Sequence, residues 1–439
     1  MQRTVQRPAF LGGTLAVPGD KSISHRALIL NAMAQGDALV TGLSDGDDVI
    51  STMTCLKALG AVIEPGQQPG AVVVRGAGQG LGEPADILDA GNSGTSMRLL
   101  SGLLAGQPFL SVLTGDASLR ARPMGRVVQP LQQMGAQILG RSDNTLAPLT
   151  IRGGSLRGIE YTMPVASAQV KSSIMLAGLS ANGDTILHQP ALSRDHTERM
   201  VTAMGAAVEA DGLTLVLHPA QLNAVDIAVP GDISSAAFWL VAGLCHPNAR
   251  ILVRGVGLNP SRTGILEALR AMGAGTNLRL VEERTAGGEP VADIAVQSGP
   301  LKGIELGGDI IPRILDELPV LAVAACFAEG TTVIRDAAEL RVKESDRIET
   351  TVSELRRLGA RIEARPDGMV IQGNGRLSGA ACQSHRDHRL AMALAVAGVL
   401  AGGETAVAGA DDATVSYPGF WKHLAQLCGE DDADEGATV

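Results

Sequence analysis

Residues 354–363, ELRRLGARIE, read as the end of an amphipathic helix, a stop at Leu358-Gly359-Ala360, and the first residues of a strand. The Gly is placed as the residue just past the helix, where a left-handed backbone closes the last turn and only Gly adopts it without cost. The same sentence is written four more times: CLKALGAVIE at 55–64, PLQQMGAQIL at 130–139, RMVTAMGAAVE at 199–209 and LEALRAMGAGTNL at 266–278. A degraded sixth copy, WKHLAQLCGE, occupies 421–430. A single Leu-Gly-Ala is only a common helix stop, whereas five clear copies define a repeat.

A second element alternates with the first. It is a helix of small and apolar residues, opened by Ser, Asn or Asp and followed by a turn and a strand, and it begins at 21, 92, 167, 232, 316 and 387 (KSISHRALILNAM, NSGTSMRLLSGLLA, SAQVKSSIMLAG, DISSAAFWLVAGL, DELPVLAVAACF, DHRLAMALAVAGVL). Each is apolar nearly all round and is therefore expected to be buried, with a capping residue at its start. Six copies of the paired elements, spaced by roughly 65–85 residues, predict six similar α/β units, grouped by three into two domains. Six buried helices also present six sets of unpaired backbone N–H groups. If these converge they make an anion site before any side chain is counted.

Composition narrows the class. The 439 residues exceed one ordinary core, which predicts two domains. The net charge of −10 argues against nucleic-acid and acidic-membrane partners, while leaving room for a local basic pocket. Cys55, Cys245, Cys326, Cys382 and Cys428 are odd in number and widely spaced, so neither a disulfide framework nor a zinc site is expected. The apolar runs at 318–328 and 390–401 are too short to span a bilayer, and a cytoplasmic protein is expected. The acidic tail 429–439 is expected to be mobile, and GAGQGLG at 76–82 fails the dinucleotide pattern at Leu81 and reads as a turn.

The charged motifs fall at the starts of the apolar helices. In PGDKSISHR, 18–26, Lys21 and Arg26 flank the first helix start, either as an anion clamp or as solvated charges on a capped helix. DAGNSGTSMR, 89–98, brings Gly91 and Gly94 to the second start, and DASLRARPM, 116–124, supplies Arg122, whose fork suits carboxylate or phosphate. SAQVK, 167–171, opens the third helix, and RDHTE, 194–198, reads as a capping box or a charged loop. In the second half come Asp316-Glu317, the two-signed run LRVKESDR at 340–347, and Asp387-His388-Arg389. The run at 340–347 is also readable as a salt-bridged surface helix. His385 and His388 have no evident third ligand, and no metal is expected.

In series, PGDKSISHR, GNSGTSMR, RPMGR, SAQVK, RDHTE, NPSRTG, LDELP, LRVKESDR and DHR closely resemble the enolpyruvylshikimate-phosphate synthase family over nearly the whole chain, in its second class. The resemblance implies a two-domain inside-out α/β barrel, each domain of three repeated βαβαββ-type units. It places residues 1–18 with 233–439 in one domain, 19–232 in the other, and the active site in the cleft between them. It also implies a monomer that needs no metal and no organic cofactor. Phosphoenolpyruvate would be protonated at carbon 3 and attacked at carbon 2 by the 5-hydroxyl of shikimate 3-phosphate. Loss of phosphate from the tetrahedral adduct would follow. The two substrates together carry about −5 to −6 charges at neutral pH.

Residue by residue, the resemblance puts Lys21, Ser22, Arg26, Ser167, Ala168, Gln169, Arg194, Asp316 and Lys343 at shikimate 3-phosphate. It puts Lys21, Gly94, Arg122, Gln169, Arg347 and Arg389 at phosphoenolpyruvate. Asp316 is the implied base for the 5-hydroxyl, Glu344 the group that exchanges a proton with carbon 3, and Lys21 the third catalytic side chain. Three positions depart from first-class members: Val415 replaces a Lys, Glu339 an Asn and Leu99 a Pro. Gly94 implies sensitivity to glyphosate and Leu99 pulls the other way. The competing readings are a UDP-N-acetylglucosamine enolpyruvyl transferase, which carries a loop Cys absent from 116–122, and a non-catalytic anion-binding protein, against which the Asp316 and Glu344 carboxylates argue.

Overall fold

A computed structural model of the chain describes residues 1–68, 70–77 and 80–429. Gly78 and Gln79 of the expected turn, and the acidic tail from residue 430 on, lie outside the described residues. The architecture is mixed α/β. Twelve helices of eight residues or more are found among the described residues, and they alternate as the sequence predicts. The odd-numbered ones are the apolar set: α1 (Lys21–Met33), α3 (Gly94–Ala105), α5 (Ala168–Gly178), α7 (Ile233–Cys245), α9 (Leu318–Phe327) and α11 (His388–Leu400). The even-numbered ones are amphipathic: α2 (Asp47–Ala58), α4 (Gly125–Met134), α6 (His196–Ala203), α8 (Gly264–Ala271), α10 (Arg347–Arg357) and α12 (Phe420–Cys428). All six glycines after the amphipathic helices are left-handed, with φ between 72° at Gly429 and 113° at Gly135. The shared helix stop therefore has one conformational cause throughout.

The chain divides into two compact units, Gly19–Val229 and Met1–Pro18 together with the stretch from Pro230 onward. The return crossing comes at 229/230 rather than at the expected 232/233. Val229 N still bonds Thr41 O within the first of these units, at 2.9 Å, whereas Gly231 N bonds Gly255 O and Gly231 O accepts from Gly257 N, both at 2.8 Å, in the other.

In Gly19–Val229, three four-stranded sheets are built alike. A short strand runs parallel to the strand after the buried helix, and two antiparallel strands complete the sheet; the second copy pairs Leu88–Asp89, Leu110–Thr114, Leu146–Arg152 and Gln137–Gly140 in that order. A parallel pair needs a crossover, and the buried helix supplies it. For the first sheet the opening strand is Ile227–Ala228, from the far end of the unit, so the repeat closes on itself. Strands such as Leu146–Arg152 bury alternate residues, as a sheet with one wet face must. Behind the sheets, α3 and α5 touch at backbone distance: a Cβ on Gly102 would run into the carbonyl oxygen of Ser173. The other unit has two such sheets and a third of three strands. There Ala381–Gln383 and Glu404–Ala408 lie parallel, and the N-terminal strand Gln2–Gln6 pairs antiparallel to Glu404–Ala408. The degraded sixth copy thus borrows its missing strand from the other end of the chain. A cluster of Phe238, Trp239, Tyr417, Phe420 and Trp421, with Trp239 stacked on Phe420 at 5.0 Å, fills the space under α12.

Candidate active site

Five of the six buried helices begin with a side chain that accepts a hydrogen bond from the first turn: Asp20, Ser93, Ser167, Asp232 and Asp387. The fifth in order, α9, departs from the expected pattern. Glu317 stands at its start without capping it and accepts instead from Ser234 Oγ, in a buried group with Arg262 and Asp232. Arg262, of the NPSRTG motif, donates to Asp232 Oδ1 at 2.9 Å and to Ser234 Oγ at 2.7 Å.

In Gly19–Val229 the expected residues meet at three helix starts. Lys21 Nζ lies 2.8 Å from Asp48 Oδ2 on the first turn of α2. Arg194 donates to Ser22 Oγ at 3.2 Å. Ser167 caps α5, and Ala168 and Gln169 form its first turn. Gln169 donates to Thr95 Oγ1 at 2.8 Å and accepts from Arg98 Nη1 at 2.5 Å, which joins the α5 start to that of α3. Arg122 is buried against the loop before α3, donating to Asn92 O, Asn92 Oδ1 and Ser118 Oγ. Gly94, the first residue of α3, leaves a gap that a Cβ would fill at 2.9 Å from Arg98 Nη1 and 3.4 Å from Arg122 Nη1. Leu99 is fully buried on the same helix.

The solvated-charge reading of Arg26 and the capping-box reading of RDHTE both fall here. Arg26 is buried and donates to Thr197 Oγ1 at 2.7 Å, Ser172 Oγ at 2.6 Å and Ser22 O at 2.8 Å, so it bolts α1 to α5 and α6 one turn below the helix start. The capping box expected in RDHTE does not form. Asp195 pairs with Arg199 at 2.8 Å, while Glu198 meets the buried Lys171 at 2.5 Å.

In the other unit, Arg347 organises the remaining residues. Its guanidinium, only 2% exposed, pairs with Asp387 at 2.7 Å, Glu344 at 2.6 Å and Asp316 at 3.3 Å. Burial alone would lower its pKa, but the three carboxylates, Asp387 foremost, override this and raise it. Asp387 also caps α11 and accepts from Ser345 Oγ at 3.0 Å. The run at 340–347 is consequently no surface helix: a 3₁₀ turn, Ala338–Val342, leads to an open segment that delivers Lys343 and Glu344 before α10 begins. Lys343 forms no hydrogen bond or ion pair among the described residues. Loss of hydration draws its ammonium below the usual lysine range, against the pull of Asp316 and with Arg347 adding to the depression. Arg389, on the first turn of α11, is 3% exposed, and its Nη1 is buried with no hydrogen-bond partner among the described residues. A buried guanidinium donor left open in this way is costly unless a ligand fills it.

Five supporting residues were given no role from sequence: Asp48, Arg98, Asp387, Arg262 and Glu317. Each acts through a partner distant in the chain, such as Arg98 with Gln169 and Asp387 with Arg347. All but Asp48 lay within motifs quoted from the sequence: Arg98 in GNSGTSMR, Arg262 in NPSRTG, Glu317 in LDELP and Asp387 in DHR.

The family described as EPSP synthase (3-phosphoshikimate 1-carboxyvinyltransferase) matches residues 5–424. The 3-phosphoshikimate 1-carboxyvinyltransferase of Gloeobacter violaceus is 59% identical over 95% of this chain and 96% of that protein. Its namesake in Desulforamulus reducens is 54% identical over 97% and 99%. Among solved structures, an EPSP synthase from Acinetobacter baumannii superposes with a TM-score of 0.85 at 44% identity, covering 98% of both chains. The enolpyruvyl transferase NikO from Streptomyces tendae, at 20% identity and a TM-score of 0.79 over 98% of this chain and 97% of that one, shares the fold.

Proposed function

The chain belongs to the EPSP synthase family, and from that premise we propose how its residues divide the work. The enzyme transfers the enolpyruvyl group of phosphoenolpyruvate to the 5-hydroxyl of shikimate 3-phosphate, through a tetrahedral intermediate and with release of phosphate, in the shikimate pathway. Atoms and charge balance between the two substrates alone, so the reaction calls for no redox or group-carrying cofactor. Lys21, Ser22, Arg26, Ser167, Ala168, Gln169, Arg194, Asp316 and Lys343 serve shikimate 3-phosphate, Arg26 chiefly by bracing Ser22 through its carbonyl. Lys21, Gly94, Arg122, Gln169, Arg347 and Arg389 serve phosphoenolpyruvate, Arg347 chiefly by orienting Asp316 and Glu344. Asp316 takes the proton of the attacking hydroxyl, and Glu344 exchanges a proton with carbon 3. We take the enzyme to be a cytoplasmic monomer, in keeping with two small soluble substrates.

The observation that supports this most directly is the open guanidinium of Arg389, in the same unit as an unpaired Lys343 and two carboxylates held by Arg347. Cations without an internal partner suit an anionic ligand, and carboxylates beside them suit proton transfer. The test is phosphate release, which should occur with both substrates together and with neither alone. Asp316→Ala and Glu344→Ala should each lower kcat by about 10²–10⁴-fold with the melting temperature nearly unchanged. Near-normal turnover in either variant removes that residue from its role.

A further inference from the structure

A chain of buried polar groups runs beneath the helix starts of Gly19–Val229, and the proposed reaction does not use it. His25 Nδ1 lies 2.7 Å from Thr52 Oγ1, and Thr52 Oγ1 lies 2.6 Å from Ser96 Oγ. Ser96 Oγ reaches Ser93 Oγ at 2.7 Å and the carbonyl of Asp48 at 3.2 Å, and the Asp48 carboxylate meets Lys21 at 2.8 Å. His25, Thr52, Ser93 and Ser96 are wholly buried, and His25 Nε2 has no partner among the described residues. The chain joins α1, which carries Lys21, through α2 to the cap of α3, which carries Gly94. Apolar side chains would fill the same space without the need to match donors to acceptors, and a relay of directional hydrogen bonds fixes geometry as apolar packing does not. Burial, then the charges of Lys21 and Arg26, holds His25 well below its usual pKa, so its imidazole stays neutral around pH 7.

We propose that His25, Thr52 and Ser96 are positioning residues that set the spacing of Lys21 and Gly94, and thereby the fit of the smaller substrate, phosphoenolpyruvate. The inference rests on the reading above for what binds at Gly94. Its selectivity comes from where the relay ends. Ser93 and Ser96 belong to the α3 start, beside Gly94 and the Asn92 carbonyl that Arg122 grips. Arg194 and Ser167, assigned to the other substrate alone, are not members of the relay. Removing the Thr52 hydroxyl strands His25 Nδ1 and cuts its link to Ser96 Oγ while keeping the side chain's shape, which frees α3 to shift against α1.

Thr52→Val should raise KM for phosphoenolpyruvate about tenfold, because small displacements of substrate-positioning groups carry large kinetic penalties. KM for shikimate 3-phosphate should stay within about twofold, and Thr52→Ser should restore both. Ser96→Ala breaks the same link from the other side and should reproduce the split, which keeps the test open should Thr52→Val fold poorly. A lowered melting temperature with both KM values unchanged, or an equal rise in both, overturns the proposal. If the wild-type chain releases no phosphate from the substrate pair, the underlying reading fails first, and the two failures are told apart by that control.

Discussion

Lys343 and Arg389 contrast with Lys21 and Arg347, since neither forms an ion pair among the described residues. Lys21 has Asp48 and Arg347 has three partners, so their charge is largely answered within the fold. Lys343 is the one whose charge is at risk. Lost hydration lowers its pKa, so on raising the pH its ammonium is neutralised below the usual value near 10.5. The sign follows directly. The folded state gives up this proton earlier than the unfolded chain, so the group costs less stability as pH rises between the two values. Anion binding moves the opposite way over the same range. KM for shikimate 3-phosphate should therefore climb on the alkaline side below pH ~10.5, and Lys343→Arg, which keeps its charge, should carry that limb to higher pH. An alkaline limb that stays in place in the Arg variant would assign it to another group.

At the scale of elements, the buried helices do two jobs with one composition. Small residues let them pack at backbone distance, and their capped starts present N–H groups and first-turn side chains. The α3–α5 contact at Gly102 shows the constraint, since any Cβ there meets the Ser173 backbone. For Gly102→Ala, helix propensity offers a gain of about 1 kcal/mol, while overpacking costs typically ~1–3 kcal/mol. The second effect should win, and the urea midpoint should fall. Because α3 carries Gly94 and α5 carries Gln169, KM for phosphoenolpyruvate should rise as well. A midpoint equal to or above that of the wild type would mean that the two helices separate freely. Helix types, stops and most caps were legible along the sequence because propensity, capping and the left-handed Gly are local. The missing cap at α9 was not, since Glu317 is drawn away by Ser234 and Arg262, 83 and 55 residues distant.

At the scale of the molecule, the sixth repeat is completed by the first residues of the chain. Gln2–Gln6 pairs with Glu404–Ala408, and Val5 packs on the helix at Gly398. A chain that starts at Arg7 should lose about 1–5 kcal/mol, taking ~0.2–1 kcal/mol for each of the five pairs. It should also self-associate through the uncovered edge of Glu404–Ala408. An unchanged urea midpoint would show that this strand is dispensable. The repeat, the two-unit grouping and the residues gathered at the helix starts could be read from the chain, because periodicity, Gly at a helix end and charge beside a cap act over a few positions. Which of the gathered arginines keep a donor open and which are consumed by the protein was decided by packing alone. Arg26 and Arg347 look like Arg389 in sequence, yet only Arg389 keeps a donor open, because Thr197, Ser172, Asp387 and Glu344 arrive beside the other two from remote segments. A guanidinium is satisfied by whatever acceptors share its space, and that neighbourhood exists only once the chain has folded.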